Sequence, residues 1–242
     1  MKILGLNPPS KYSNNVARDL LWGCWCKGRR IAGVQFPPLP LIYVGTVLKS
    51  EGHAVDIIDA QAQRISLHQI EDRAKDYDVV FIISATMTYR EDSDVLERLK
   101  LKNPRLVTVV FGAHPTFLPL EALKRDSVDI IVRKEAEFII RDFIANLSKG
   151  KERWKKVLGI GYREDGKPVL NADYPYIEDL DDLPIPDRSF LPGDIDYYNP
   201  IINSMPWTTA LSSRGYPGRC TFCTSSAYYG SKYRTRSPKN VV

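Results

Sequence analysis

Residues 79–84 read Val-Val-Phe-Ile-Ile-Ser, five consecutive apolar residues that end in a serine. Valine, isoleucine and phenylalanine favour strands, and a continuous apolar run predicts a strand buried on both faces. Such strands occur in parallel sheets that helices cover on both sides. The stretch therefore predicts the central layer of an α/β domain.

Short β-rich segments alternate with segments of helical periodicity on both sides of this run. Five such βα units predict a doubly wound, Rossmann-like α/β domain over residues 1–150. We expect a five-stranded parallel sheet with the flavodoxin-type strand order 2-1-3-4-5. The predicted strands are 2–7, 54–59, 79–84, 106–111 and 129–132, and the predicted helices are 39–50, 67–75, 93–102, 118–124 and 137–148.

The pattern changes after Gly150. Residues 159–163 and 167–170 flank Glu-Asp-Gly, which predicts a β-hairpin. A segment rich in Pro, Asp and Tyr follows, and its aromatic residues predict an ordered linker that wraps a surface. We therefore expect a hairpin and interdomain linker over residues 151–206, and a third segment over 207–242 that opens with a strand at 207–211.

Composition and charge limit the partners of the chain. Of the 242 residues, 43% are hydrophobic and 26% are charged, which is typical of a globular protein. The net charge is +5, and residues 211–242 contain six basic residues and no acidic one. A basic tail can bind nucleic acid, but this one is short for such a module, so we expect it to face a cofactor or an acidic partner domain.

The apolar runs are too short to span a bilayer, and Asn7-Pro8-Pro9 interrupts the first of them. We therefore expect a cytoplasmic protein without a membrane partner.

Four cysteines form two close pairs, Cys24/Cys26 and Cys220/Cys223, a pattern unlike a secreted disulfide framework. Cys24 and Cys26 lack the spacing of a zinc knuckle, and we interpret them as small buried residues, with a place near a ligand as the alternative. Cys220 and Cys223 provide only two of the four ligands that a structural zinc ion needs.

Residues 213–224 read Ser-Arg-Gly-Tyr-Pro-Gly-Arg-Cys-Thr-Phe-Cys-Thr. This stretch resembles the Cys-x3-Cys-x2-Cys loop of radical S-adenosylmethionine enzymes. With the other motifs, nearly the whole chain resembles the N-terminal part of cobalamin-dependent radical S-adenosylmethionine proteins. The other matching motifs lie in order at residues 2–9, 37–44, 51–60, 112–116, 133–137, 180–186 and 233–238.

The resemblance implies a cobalamin-binding domain followed by the start of a catalytic barrel. In the intact family, a radical from S-adenosylmethionine cleavage at a [4Fe–4S] cluster activates a carbon, and methylcobalamin often supplies a methyl group. The resemblance also implies cobalt without a histidine ligand, because Asp-x-His-x-x-Gly is absent after the first strand.

Candidate cobalamin contacts follow the carboxyl ends of the predicted strands, where α/β sheets bind ligands. For Ser84 and Thr86 the alternative is capping of the strand end, and for His114 it is a hydrogen bond within its own loop. The candidates are Asn7, Pro8, Pro9, Ser84, Ala85, Thr86, Met87, Thr88, Gly112, Ala113, His114, Thr116 and Glu135, with Pro115 and Glu137 beside them.

Two departures from the family pattern limit the expected chemistry. Tyr216 stands where the first cluster cysteine belongs, with Cys220 and Cys223 in the second and third positions. The chain also stops where the first barrel helix would begin, so we expect most of the barrel to be missing or separate.

We therefore expect corrinoid binding without a stable cluster or radical chemistry, which would leave Arg214 and Arg219 without their anion. Two alternatives remain open. One is a working radical enzyme, completed by another chain or by Tyr216 as a ligand. The other is an interaction module without a cofactor.

Overall fold

A single sheet of seven strands forms the centre of the part of the chain that the computed structural model describes. That part comprises residues 1–19, 33–195, 197, 199, 202, 204, 207–218 and 220–241. Strands β1 to β5 are parallel and lie in the order β2-β1-β3-β4-β5, as the sequence predicts. They are β1 (Lys2–Asn7), β2 (Ala54–Asp59), β3 (Val79–Ile83), β4 (Val107–Phe111) and β5 (Ile130–Val132).

Helices connect these strands, and three of them differ from the sequence prediction by more than one residue. Helix α5 covers Pro119–Ala122 and is shorter than the expected helix 118–124. Helix α3 begins at Tyr89, four residues earlier than expected, and Glu91 and Asp92 in its first turn suit a helix N-terminus. A short helix also occupies residues 113–117, where a loop was expected. The helices of this domain are α1 (Leu39–Ser50), α2 (Leu67–Ala74), α3 (Tyr89–Lys102), α4 (Ala113–Phe117), α5 (Pro119–Ala122) and α6 (Ala136–Leu147).

Strand β3 is buried along its whole length, and its side chains alternate between two apolar layers. Val79, Phe81 and Ile83 pack in one layer with residues of α1 and α6. Val80 and Ile82 pack in the other layer with residues of α2 and α3. The continuous apolar run of the sequence is therefore explained by helices on both faces of the sheet.

The predicted hairpin extends this sheet instead of standing apart from it. Strands β6 (Ile160–Glu164) and β7 (Lys167–Leu170) are antiparallel, and β6 pairs with β5. The helix α7 (Lys151–Trp154) precedes the hairpin. The hairpin thus covers the edge of β5 that would otherwise present unpaired backbone groups.

The linker wraps the α/β domain, as the sequence predicts. Ile177, Leu180 and Leu183 are buried against Val47 of α1. The linker aromatics in the described part of the chain are partly buried, and Tyr198 lies outside the described residues. These partly buried aromatics are Tyr174, Tyr176, Phe190 and Tyr197.

The expected strand at residues 207–211 is wrong. These residues have no regular structure, and the Thr209 carbonyl accepts a hydrogen bond from the side chain of Arg188 instead of a neighbouring strand. Two short strands follow, β8 (Ser213–Arg214) and β9 (Arg234–Thr235), and they pair antiparallel. The helices of this segment are α8 (Ser225–Tyr229) and α9 (Pro238–Val241).

Each helix in the described part of the chain is too short or too polar to cross a lipid bilayer.

We predict that Phe81→Ala lowers the free energy of unfolding by about 3–5 kcal/mol, because it leaves a cavity in the apolar layer beside Phe111. Urea unfolding followed by circular dichroism measures the change. Leu101→Ala is the control, since Leu101 is 74% exposed on α3 and its loss should stay within about 0.5 kcal/mol. Equal effects of the two substitutions would contradict this account of the core.

Candidate functional site

The carboxyl ends of β3 and β4 lie side by side, which brings several of the predicted site residues together. The amide of Ser84 donates to the carbonyl of Phe111 (2.8 Å), and the amide of His114 donates to the carbonyl of Ser84 (3.4 Å). Thr116 connects the same edge to β5, because its hydroxyl accepts from the amide of Lys134 (2.9 Å). The three strand ends therefore form one continuous edge.

Gly112 makes this close approach of β3 and β4 feasible. Its φ is +110°, a conformation that favours glycine. A Cβ atom at this position would lie 2.6 Å from the carbonyl oxygen of Ser84. Any larger residue would therefore push the two strand ends apart.

His114 is the most unusual residue of the edge. It is 2% exposed, and its ring stacks on Tyr89 with a centroid distance of 3.9 Å. Neither ring nitrogen has a hydrogen-bond partner among the described residues, which speaks against the expected alternative of a bond within its loop. Burial lowers the pKa of His114, which favours the neutral ring with one donor and one acceptor. A buried polar group without a partner is costly, so a ligand that supplied one would be bound favourably.

A second polar cluster lies where β1 and β3 end. Arg18 donates from Nε to Asp92 (2.8 Å) and from Nη1 to Asn7 Oδ1 (3.3 Å), and Ser84 Oγ donates to Asp92 (2.7 Å). Burial raises the pKa of Asp92, whereas the charge of Arg18 and the bond from Ser84 lower it. The side chains of Asn7 and Ser84 are therefore engaged within the protein.

Sequence reasoning missed Arg18 and Asp92. Arg18 lies in a segment without periodicity, and Asp92 lies in the part of α3 that the helix prediction left out. An earlier start for α3 would have placed Asp92 in its first turn, next to the turn that follows Ser84, and suggested the contact.

The other candidates differ in exposure. Thr86 and Met87 are exposed, while Pro9, Ala113 and Thr116 are partly exposed and form a rim around the edge. Pro8, Ala85, Thr88 and Pro115 are buried behind that rim. The Thr88 hydroxyl is within 3.2 Å of both the amide and the carbonyl of Ala85, which shapes the turn after β3.

Glu135 and Glu137 flank the start of α6, and their carboxylates bind arginines of the C-terminal segment. Burial alone would lower the pKa of Arg214, but the carboxylates of Glu137 and Glu135 raise it above its ordinary value. The expectation that Arg214 lacks an anion is therefore wrong, because its anions belong to the same chain. Arg219 lies outside the described residues.

A small cavity of about 30 Å³ separates the sheet edge from the C-terminal segment. This volume corresponds to roughly one water molecule. The lining includes Ile83, Phe111, Gly112, Glu135, Arg214, Tyr228 and Tyr229.

We call residues 214–234 the cysteine loop, and it carries the thiols of Cys220 and Cys223 and the phenol of Tyr216. Tyr216 Oη lies 3.6 Å from Cys220 Sγ, and this hydrogen bond together with the negative charge that Cys220 carries as a thiolate raises the pKa of Tyr216. Ser225 lies 3.2 Å from Cys223 Sγ and lowers the pKa of that thiol. Among the described residues, no three His, Cys, Asp or Glu side chains are grouped so as to hold a metal ion. Cys24 and Cys26 lie outside the described residues.

Comparison with known proteins finds a family model that matches part of the N-terminal domain. Residues 30–144 match the model described as B12 binding domain. The edge formed by the ends of β3, β4 and β5 lies within this matched range.

Longer proteins resemble nearly the whole chain. It is 33% identical over 217 residues to an uncharacterized methyltransferase of Pyrococcus horikoshii, covering 88% of this chain and 46% of the relative. It is 32% identical over 222 residues to the anaerobic magnesium-protoporphyrin IX monomethyl ester cyclase of Rubrivivax gelatinosus, covering 89% and 39%. The chain thus spans less than half the length of these relatives.

A solved structure shares the fold. The cobalamin-dependent S-adenosylmethionine radical enzyme OxsB, with aqua-cobalamin and S-adenosylmethionine bound, superposes with a TM-score of 0.72 at 19% identity. The match covers 99% of this chain and 30% of that one.

We predict that His114 makes the fold less stable in mild acid. Its folded-state pKa lies below the ordinary value of about 6.5, so the unfolded chain takes up the proton first as the pH falls. The free energy of unfolding should fall below about pH 6.5, and His114→Gln should make that decrease shallower. Urea unfolding at pH 5.5, 6.5 and 7.5 tests this.

The measurement at about pH 7.5 is the internal control, because the histidine is almost entirely neutral at that pH in both the folded and the unfolded chain. Parallel pH curves for the two proteins throughout this range would contradict the role assigned to the His114 ring.

Proposed function

We propose that the chain binds cobalamin at the edge formed by β3 and β4, as the cofactor-binding part of a cobalamin-dependent radical S-adenosylmethionine methyltransferase. The observation that carries this proposal is the buried His114, which lies in the range that matches the B12-binding model and whose two ring nitrogens lack partners among the described residues. The name of the Pyrococcus relative supports methyl transfer as the reaction of the intact protein.

In this proposal, the residues of the edge have different roles in binding the cofactor. His114 forms a hydrogen bond with a polar group of the cofactor, and Gly112 keeps the ends of β3 and β4 close together beside it. The exposed and partly exposed rim residues support the corrin ring by van der Waals contact. They are Pro9, Thr86, Met87, Ala113 and Thr116.

The remaining candidates act from behind the rim. Asn7 and Ser84 hold Arg18 and Asp92 in place, while Glu135 binds the arginines of the C-terminal segment. Pro8, Ala85 and Thr88 shape the turns that carry the rim. The small cavity beside Gly112 is too small for an aromatic base, so we propose that the nucleotide tail lies outside this cavity.

A bound methylcobalamin would supply the methyl group for transfer. The protein would orient the corrin, shield the part of it that it covers from water, and donate or accept one hydrogen bond at His114. No residue of this edge is proposed as a cobalt ligand.

The residues of the cysteine loop do not fit a cluster held by three thiolates. Tyr216 stands in the first position, and its raised pKa opposes a phenolate ligand. We therefore propose that this chain does not assemble a stable [4Fe–4S] cluster and does not cleave S-adenosylmethionine by itself. The catalytic barrel would come from outside these residues, in the same polypeptide or in a partner, and we propose a cytoplasmic setting for it.

We predict that the protein binds hydroxocobalamin with micromolar affinity or better, and that His114→Ala weakens binding about tenfold or more, because it removes one buried hydrogen bond. Equilibrium dialysis in the dark, read by corrin absorbance, measures both values. His68→Ala, on the exposed surface of α2, is the control and should bind as the wild type does. Retention of no corrinoid by the wild type would refute the proposed function and favour an interaction module.

We predict that anaerobic reconstitution with iron and sulfide leaves well under four irons per chain, and that Tyr216→Cys raises the iron content toward four by restoring the third thiolate. Iron and sulfide assays and the absorbance near 400 nm report the result. Near four irons in the unchanged chain would show that another ligand completes the cluster.

A further inference from the structure

The cysteine loop is closed at its base by two arginines. Arg214 ends β8 and Arg234 begins β9, and the two residues face each other across the antiparallel pair. Tyr216, Cys220 and Cys223 lie between them in the sequence. The contacts that hold the two arginines therefore determine the position of the loop relative to the rest of the chain.

Two carboxylates of the α/β domain hold these arginines. Arg234 binds both oxygens of Glu135, at 2.9 and 3.0 Å. Arg214 binds both oxygens of Glu137, through Nη1 at 3.2 Å and through Nη2, and it also reaches Glu135 at 3.3 Å. We call these four side chains the arginine clamp. Paired planar geometry of this kind fixes direction as well as distance.

The arginine clamp is buried, with every one of its residues at most 6% exposed. The carboxylates flank the N-terminus of α6, where negative charge is favoured. Arg234 also donates to the carbonyls of Ile177 and Tyr229, each at 2.6 Å, which ties the linker and α8 to the same point. Water therefore competes little for these bonds.

A buried ion pair gains little net stability because its charges lose their hydration, whereas removing one partner is strongly unfavourable. The arginine clamp is therefore better suited to fix a geometry than to hold the fold together. The pair Lys232–Glu178 joins the same loop to the linker, and both side chains are over 60% exposed. Exposed ion pairs of this kind add little stability and constrain the position of the loop only weakly.

The arginine clamp also adjoins the proposed cofactor edge. Glu135, Glu137 and Arg214 line the small cavity together with Gly112 and Phe111 at the end of β4. Residues at the base of the cysteine loop and residues of the proposed cobalamin edge thus line the same cavity.

We infer that Glu135 and Glu137 are positioning residues that hold the cysteine loop at a set distance from the cobalamin edge through Arg214 and Arg234. The cofactor part of this inference rests on the proposed function. The loop part rests only on the contacts within the chain.

Hydrogen exchange with mass spectrometry tests the loop part without any cofactor. In Glu137→Gln, amides of the loop, such as that of Tyr216 bonded to Gly230, should exchange at least tenfold faster. Exchange in β1 to β4 should stay unchanged. Glu178→Gln is the matched control and should leave the loop as in the wild type, while Glu137→Asp should restore part of the protection.

Corrin quenching of a fluorophore on Cys223, with the other three cysteines changed to serine, tests the distance. With hydroxocobalamin bound, the labelled protein that keeps Glu137 should show a narrow distribution of fluorescence lifetimes. Glu137→Gln should broaden this distribution, while the affinity for the corrinoid should change less than twofold. If Glu135→Gln or Glu137→Gln fails to fold, Arg214→Lys, which keeps the charge and loses the paired geometry, replaces it.

Unchanged loop exchange in these variants would overturn the inference, as would an increase that extends equally through β1 to β4. Unaltered lifetimes would overturn the link to the cofactor edge. If the wild type binds no hydroxocobalamin, the proposed function fails, and the exchange result still decides whether the arginine clamp positions the loop.

Discussion

Burial of β3 on both faces is the constraint on which the rest of the structure depends. Its side chains alternate between two apolar layers that helices complete, so neither face of the sheet is free for a ligand. The carboxyl ends of the parallel strands meet along one edge, where loops can present polar residues to a ligand. Ser84, Gly112 and His114 lie at this edge for that reason.

The edge consists of two parts that differ in how their polar groups are satisfied. Where β1 and β3 end, Asp92 accepts from both Arg18 and Ser84, and only Arg18 Nη2 in this cluster has no partner among the described residues. Where β3 and β4 end, His114 has no partner among the described residues. We interpret the second part as the better place for a polar contact with a cofactor, although the strand order alone points to the first.

The basic C-terminal segment has an explanation within the chain. Arg214 and Arg234 meet Glu135 and Glu137 at the start of α6, so the acidic partner of this segment includes the α/β domain of the same chain. Arg236 is also buried, and it donates to the carbonyl of Leu183 in the linker. In the sequence, these arginines suggest an external ligand, but in the structure they form contacts between segments of the same chain.

The sequence by itself determined the α/β class and most element bounds, because hydrophobic periodicity is a local property of the chain. The expected strand order came instead from the common arrangement of five-unit α/β domains. Its motifs also led to the B12-binding family, which the match over residues 30–144 supports. It misplaced a strand at 207–211 and began α3 too late, since both depend on neighbours that are distant in the sequence.

Only the tertiary structure decided which polar side chains meet. Arg18 contacts Asp92 across 74 positions of the chain, and Arg234 contacts Glu135 across 99. No periodicity encodes such pairs, because they form when strand ends and docked segments come together. The same physical reason separates His114, left without a partner, from Ser84, which its neighbours already satisfy.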